Sequence, residues 1–306
     1  MKKSTLRLCM ASVVVVPASL LLHGQPPPGG FGFEPYLETT STGDADLEDV
    51  AGAAGMESSE WTVGLETFWR GAGGQLAFDA SYGQKEADWS GDAFYGGLAS
   101  ASLFEEVETV ALSGLWTTDP RETLGYVIYL GLESSYATDS PFEEAGLSDA
   151  IGYDIGAGVS YRYSETLFFT AGLRYQDNPA GVDDDWLPFI GLTWLIDERW
   201  TLRTRNGIFL DYRLGADWLQ TLTPFVEYVS DIHHLGEAAG VEVGFEEQQV
   251  AAGVAGSIEF AENWEVRPAV QYLFARELTV WRGGGEVLET DLEEALRLSL
   301  RIGYSF

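Results

Sequence analysis

The chain carries one cysteine, Cys9, and three lysines, two of them within its first three residues. It has no apolar run beyond Leu22 that approaches the ~20 residues a membrane helix needs. It is also short of positive charge, with 17 Lys and Arg against 48 Asp and Glu and a net charge of -31. Each shortage excludes something. Nucleic acid is not the partner, because that demands a basic footprint. A disulfide framework is impossible with one thiol. Helical membrane insertion beyond the N-terminal segment is excluded as well.

The first 24 residues read as a secretory signal peptide. Lys2, Lys3 and Arg7 precede an apolar run from Leu8 to Leu22, followed by a Pro/Gly-rich patch from Gln25 to Gly32. That is a basic n-region, a short h-region and a breaker. Cleavage is expected at Gly24, which leaves residues 25–306 as one domain without cysteine. Cys9 lies inside the run, after the bulky Leu8, and so does not suit a lipoprotein site. Losing three cations and no acid takes the net charge from -31 to -34. Lys85 is then the last lysine beside thirteen arginines.

What the chain has in quantity is alternation. Leu296, Leu298, Leu300, Ile302, Tyr304 and Phe306 fall on one face of a strand, and Arg297, Ser299, Arg301, Gly303 and Ser305 on the other. Ile151 to Tyr163 repeats the pattern, with Gly152, Asp154, Gly156, Gly158, Ser160 and Arg162 on the second face. Ala251, Gly253, Ala255, Ser257 and Glu259 oppose branched residues between Val250 and Phe260. In 264–275, Glu265, Arg267, Ala269, Gln271 and Ala275 oppose Trp264, Val266, Pro268, Val270, Tyr272 and Phe274. The large face is apolar and the small face holds the charge and glycine, the reverse of a soluble sandwich. A mean hydropathy of -0.04 suits an apolar band spread over alternate residues.

A short repeat punctuates these strands. Ile196–Trp200, Leu214–Trp218 and Phe260–Trp264 each run from an apolar strand end through a small or acidic turn to a Trp; 163–167 and 118–124 are variants. Asp, Asn, Ser and Gly tolerate turn dihedrals. Longer polar stretches, 84–103, 138–149, 177–185, 233–242 and 278–291, fall between the tight turns. The expected strands are 33–40, 60–70, 75–84, 105–117, 123–137, 150–163, 166–177, 186–196, 199–205, 207–214, 218–231, 243–260, 264–278 and 291–306. The count is fourteen, with twelve as the alternative. The expected fold is all-β: an antiparallel transmembrane β-barrel with short periplasmic turns and longer acidic external loops. Trp200, Trp218, Trp264, Tyr304 and Phe306 are the expected membrane-girdle aromatics.

A terminal strand ending on Phe resembles the way outer-membrane barrels finish. The arrangement from Trp186 to Phe306 resembles an uncharacterised family of Gram-negative outer-membrane β-barrels, known only as a domain of unknown function. Ile196–Leu202, Gly207–Trp218, Phe260–Arg267 and Leu298–Phe306 carry the likeness. The resemblance implies an outer-membrane location in a Gram-negative bacterium and brings no catalytic residues. Its expected partners are outer-membrane lipid and lipopolysaccharide, and the insertion machinery through the C-terminal strand. Loosely bound divalent cations are a further candidate partner.

Three functional readings follow. The first is a passive pore for small solutes, because fourteen strands exceed the roughly eight whose side chains fill a barrel. Its candidate lining is Glu133, Asp154, Arg162, Arg174, Glu259, Glu265, Arg267, Arg297 and Arg301. A hairpin register about 261–263 sets Glu265 across from Glu259 with Arg267 diagonal to it, and the Ser164–Glu165 turn likewise places Asp154 near Arg174. The second is a structural or surface-binding barrel with a closed interior. The third is a rim hydrolase. Asp231-Ile232-His233 opposite Asp183–Asp185 is similar to the parts of an omptin-type protease that activate water, and Ser230 with His233-His234 suggests a lipase in reversed order. Acidic residues saturate these loops, so such spacings also arise by chance. No cofactor or metal centre is expected: neighbouring strand side chains diverge, so His233 and His234 cannot easily share an ion, and Asp183–Asp185 lacks the spacing of a calcium loop.

Overall fold

The computed structural model describes residues 30–48, 54–71, 73–91, 103–119, 122–142, 146–178, 185–215 and 219–306. The expected signal peptide, Trp218, Asp183 and Asp184 lie outside them. The strands are β1 (Phe31–Asp46), β2 (Ala54–Gly71), β3 (Gly74–Gly91), β4 (Glu106–Thr117), β5 (Leu124–Asp139), β6 (Ile151–Arg162), β7 (Leu167–Asp177) and β8 (Asp185–Leu195). The remainder are β9 (Trp200–Thr204), β10 (Gly207–Arg213), β11 (Thr221–Glu237), β12 (Glu242–Ala261), β13 (Trp264–Arg282), β14 (Gly285–Leu292) and β15 (Ala295–Tyr304). Each pairs antiparallel with its chain neighbour from β1 to β13, and β15 closes the ring between β13 and β1. Strands β14 and β15 keep one register against β13 and form a single wall position broken at Glu293-Glu294. The wall is therefore a closed barrel of fourteen strands.

The tight turns gather at one end. In the 197–199 turn the Asp197 carboxylate accepts the backbone N–H groups of Arg199 and Trp200 at 2.7 and 2.8 Å, which is why an acid recurs before the Trp. Asn263 takes a left-handed φ of 69° in the matching turn. Trp264 packs edge-on against Tyr304 at 5.0 Å, Tyr304 against Phe306 at 4.5 Å, and Trp200 against Tyr212 at 4.4 Å, so aromatics collect at this turn end. Outward large side chains are open to the surroundings, with Leu296, Leu298 and Leu300 41–53% exposed and Ile190 75%. Inward positions are small, charged or hydrogen-bonded over much of the wall, with Leu187, Phe189, Phe209 and Phe225 turned inward on the side of β8 to β11.

The other end departs from the expected pattern. Stretches read as loops are largely strand: β3 runs on to Gly91, β11 to Glu237 and β13 to Arg282, while β14 is added within 278–291. Their sequences do not follow the large-out, small-in alternation of the strands below them. The extensions enclose an apolar core. Segments of β1 to β5 and β11 to β14 form a second, narrower ring of nine, closed where β5 meets β11 at Tyr136↔His234 and where β1 meets β14 at Leu47↔Leu292. Leu103, Phe104, Val107, Leu235, Phe245, Leu278 and Val280 are fully buried inside it. We call this ring the cap and the fourteen-strand part the chamber.

At the boundary two neighbours change parity together. On β13, Gln271 and Leu273 point in below, and Arg276, Leu278 and Val280 above; the extra residue is taken up near Ala275, at φ 47°. The break at Glu293-Glu294 does the same, so that Ala295 and Leu292 are both buried. Ala275 is exposed at this bulge and does not face inward as the alternation suggested.

Candidate functional site: a charged chamber beneath an apolar cap

Strand β1 supplies the first layer of the chamber. Glu34, Tyr36, Glu38, Thr40 and Thr42 recur every second residue and share the inner face. Tyr36 lies flat over Gly64, where a Cβ would collide with the ring. Glycine at 64 is what lets that ring lie against the wall. The Arg301 guanidinium stacks over the same ring at 3.7 Å and bonds Glu66 at 2.5 Å. Arg267 holds Glu265 at 2.6 Å and stands 3.8 Å from Glu34. Glu265 lies directly across from Glu259, the pairing the turn predicts.

Ion pairs also brace the shorter side of the wall. Arg174 reaches Asp154 at 3.0 Å. Arg203 grips Asp211 with two bonds of 2.6 and 2.9 Å, and Thr223 donates a third to the same carboxylate at 2.8 Å. Of the candidate lining residues, Glu133, Asp154, Arg174, Glu265, Arg267, Arg297 and Arg301 point inward along the chamber. Arg162 sits lower, beside a turn, and Glu259, level with Glu265, accepts from Gln220 at 3.2 Å.

Higher in the chamber is a polar cavity of about 190 Å³. Glu38, Glu60, Glu227 and Asp231 face it from three sides of the barrel, with Arg297 and Lys85 as the cations. Lys85 is committed elsewhere, bonding Glu247 at 3.0 Å, and Glu247 holds Arg276 at 3.0 Å. Arg276 also donates to the Glu293 carbonyl freed by the break between β14 and β15, at 3.1 Å. Arg297 donates to Thr42 at 3.1 Å. Among the described residues that line it, the cavity thus holds four carboxylates facing one cation, Arg297, outside an ion pair. Lys85, Glu247 and Arg276 are the roof of the chamber, and the apolar cap begins above them.

The sequence did not single out that roof, since Lys85 falls in 84–103, a stretch that reads as an external loop. The usable signal was the lone lysine itself. A side chain so rare in a chain dominated by arginine invites a search for its partner.

His233 belongs to the cap rather than to a rim. It is 7% exposed, stacks on Phe245 at 5.9 Å, and shares a 2.7 Å hydrogen bond with Ser135 through Nδ1. Ser230 donates to Glu246 at 3.1 Å, away from His233. His233 and His234 lie on opposite faces of β11. Among the described residues, no group of three or more metal-binding side chains forms a cage.

An outward apolar band around a closed, charged interior defines an outer-membrane-type β-barrel. No family model matches the chain, and a comparison with curated proteins finds no match either. The likeness over Trp186 to Phe306 is therefore one of architecture. Among solved structures, the chain is similar to a deletion mutant of the monoaromatic hydrocarbon channel TodX at 10% identity. That match covers 94% of each chain with a TM-score of 0.48. It is similar to the KdgM porin at 11% identity, over 89% of this chain and 99% of that one, with a TM-score of 0.34. It is also similar to the translocator domain of the autotransporter NalP from Neisseria meningitidis: 15% identity, 90% and 89% covered, TM-score 0.38.

Proposed function

We propose that this barrel is an outer-membrane channel for passive passage of small polar solutes, exported with cleavage near Gly24 and inserted through its C-terminal strand. The observation that carries the reading is the chamber. Its wall has more strands than the roughly eight whose side chains fill a barrel, and its upper lining is charged groups that need water. Outer-membrane lipid and lipopolysaccharide surround it, and its acidic loops attract divalent cations loosely. Diffusion past Glu38, Glu60, Glu227 and Asp231 favours cations over anions, since a ring of acids raises local cation concentration.

A second reading, a closed structural or binding barrel, is favoured by one observation: the apolar cap blocks the axis. Reconstitution in planar bilayers separates the two. Discrete conductance steps across a range of salts are expected, and their complete absence with correctly folded protein would overturn the channel.

A further inference from the structure

If the axis is sealed and the chamber is a passage, solutes must leave it elsewhere. We propose that the chamber opens sideways, through a notch in the wall above the β9–β10 hairpin; this rests on the channel reading. The notch follows from strand length. Strand β9 has 5 residues and β10 has 7, between a β8 of 11 and a β11 of 17. The β8–β9 ladder ends at Leu192↔Thr204 and the β10–β11 ladder at Gly207↔Glu227, yet β11 meets its next neighbour on that side, β5, only at His234.

Among the described residues, two strands are therefore missing over about six residues of β11. At ~4.8 Å between strands and ~3.4 Å per residue, the gap is about 14 Å wide at its base and about 20 Å tall. It tapers to the point where β5 and β11 meet.

The floor of this notch is polar. Thr204 lies five residues above the turn end, about half of the ~9–11 that cross a bilayer. The Arg205–Asn206 turn thus sits at mid-wall. Asn206 donates to the Tyr228 carbonyl at 3.3 Å and approaches Glu227 at 3.5 Å. Turn backbone at that depth is tolerated only where protein covers it or water reaches it.

The same β11 stretch places Glu227 and Asp231 on the cavity wall, so the notch and the cavity adjoin. Outside, Ile190 and Trp186 on β8 are 75% and 69% exposed, giving the opening an apolar lip. A solute crossing it meets lipid-facing side chains first and carboxylates next. That order suits small amphiphiles with an amine or hydroxyl head.

The test uses Asn206→Cys in the full chain carrying Cys9→Ala, with a bulky methanethiosulfonate reagent added to reconstituted channels. Labelling, checked by mass, is expected to cut conductance at least ~5-fold, as obstruction of a pore-lining position does. The same label on Val287→Cys, on the outside of the cap, leaves it unchanged. Val229→Cys on the facing edge serves if Asn206→Cys does not fold. A labelled cysteine with undiminished conductance overturns the lateral route while leaving the channel standing, as does a cysteine that the reagent cannot reach. Absence of conductance in every variant, the parent included, instead removes the channel reading and the route with it.

Discussion

The cap and the chamber are built largely from the same strands, yet their interiors are opposites. β12 contributes Val243 and Phe245 to a dry apolar core and, two residues on, Glu247 to the ion-paired roof over the polar cavity. Strand number decides which. Nine segments make a ring narrow enough for side chains to meet at its centre, so apolar groups bury one another. Fourteen cannot close that distance, and charges on the wall stay hydrated or pair with neighbours. Excluding β6 to β10 from the upper ring is what turns a lumen into a core.

If that comparison is right, the largest losses come from the cap. Phe245→Ala removes a fully buried ring that touches Phe104, Trp89 and His233. It should cost about 3–5 kcal/mol, read as a lower urea midpoint in detergent. A change below about 1 kcal/mol would mean that the cap is not a packed core.

The roof should be nearly as sensitive, for an electrostatic reason. Glu247→Ala leaves Lys85 and Arg276 buried without their shared carboxylate, and removing one partner of such a group costs about 3–5 kcal/mol. Lys85→Met with Glu247→Leu and Arg276→Met should restore most of it. If the triple variant is no better than the single, the roof depends on something other than charge balance. Glu66→Gln in the chamber keeps the side chain's size and an oxygen that can accept from Arg301, so it should cost less than Glu247→Ala.

The two regions were unequally legible in sequence. The chamber follows one rule over most of its wall, large out and small or charged in, with Phe189, Phe209 and Phe225 as inward exceptions, so its strands, turns and most facing residues follow from a period of two. The Glu259–Glu265 pairing and the approach of Asp154 to Arg174 followed from the turns alone. The cap breaks the rule twice. Parity shifts at Ala275 and at Glu293-Glu294, and the strands above are apolar inside and polar outside. Segments such as Gln84–Gly91 and Gly285–Leu292 consequently resemble solvated loops. The β5–β11 contact that closes the cap joins strands nearly a hundred residues apart, and no local pattern announces it.

Neighbours on one strand sharpen the chamber half of the comparison. Leu298→Arg puts a charge on the lipid side and should cost about 2–4 kcal/mol in a bilayer. Ser299→Arg, one residue on, points into the cavity toward Glu38 and Glu60 and should cost little. Equal penalties would mean that the face assignment is wrong.

The smallest expected effect on stability is the most informative about passage. Glu60→Gln and Asp231→Asn each remove a carboxylate from the cavity without breaking an ion pair, so folding should hardly change. Together they take four acids to two against Arg297. The cation preference read from reversal potentials across a salt gradient should fall by a few-fold, because selectivity follows the charge of the lining where the passage is narrow. The same pair of changes at Glu286 and Glu289, on the exterior of the cap, should leave the potential where it was. A shift from the outer pair and none from the inner would place the selective region at the loops, and the chamber would no longer be the part of this barrel that chooses what passes.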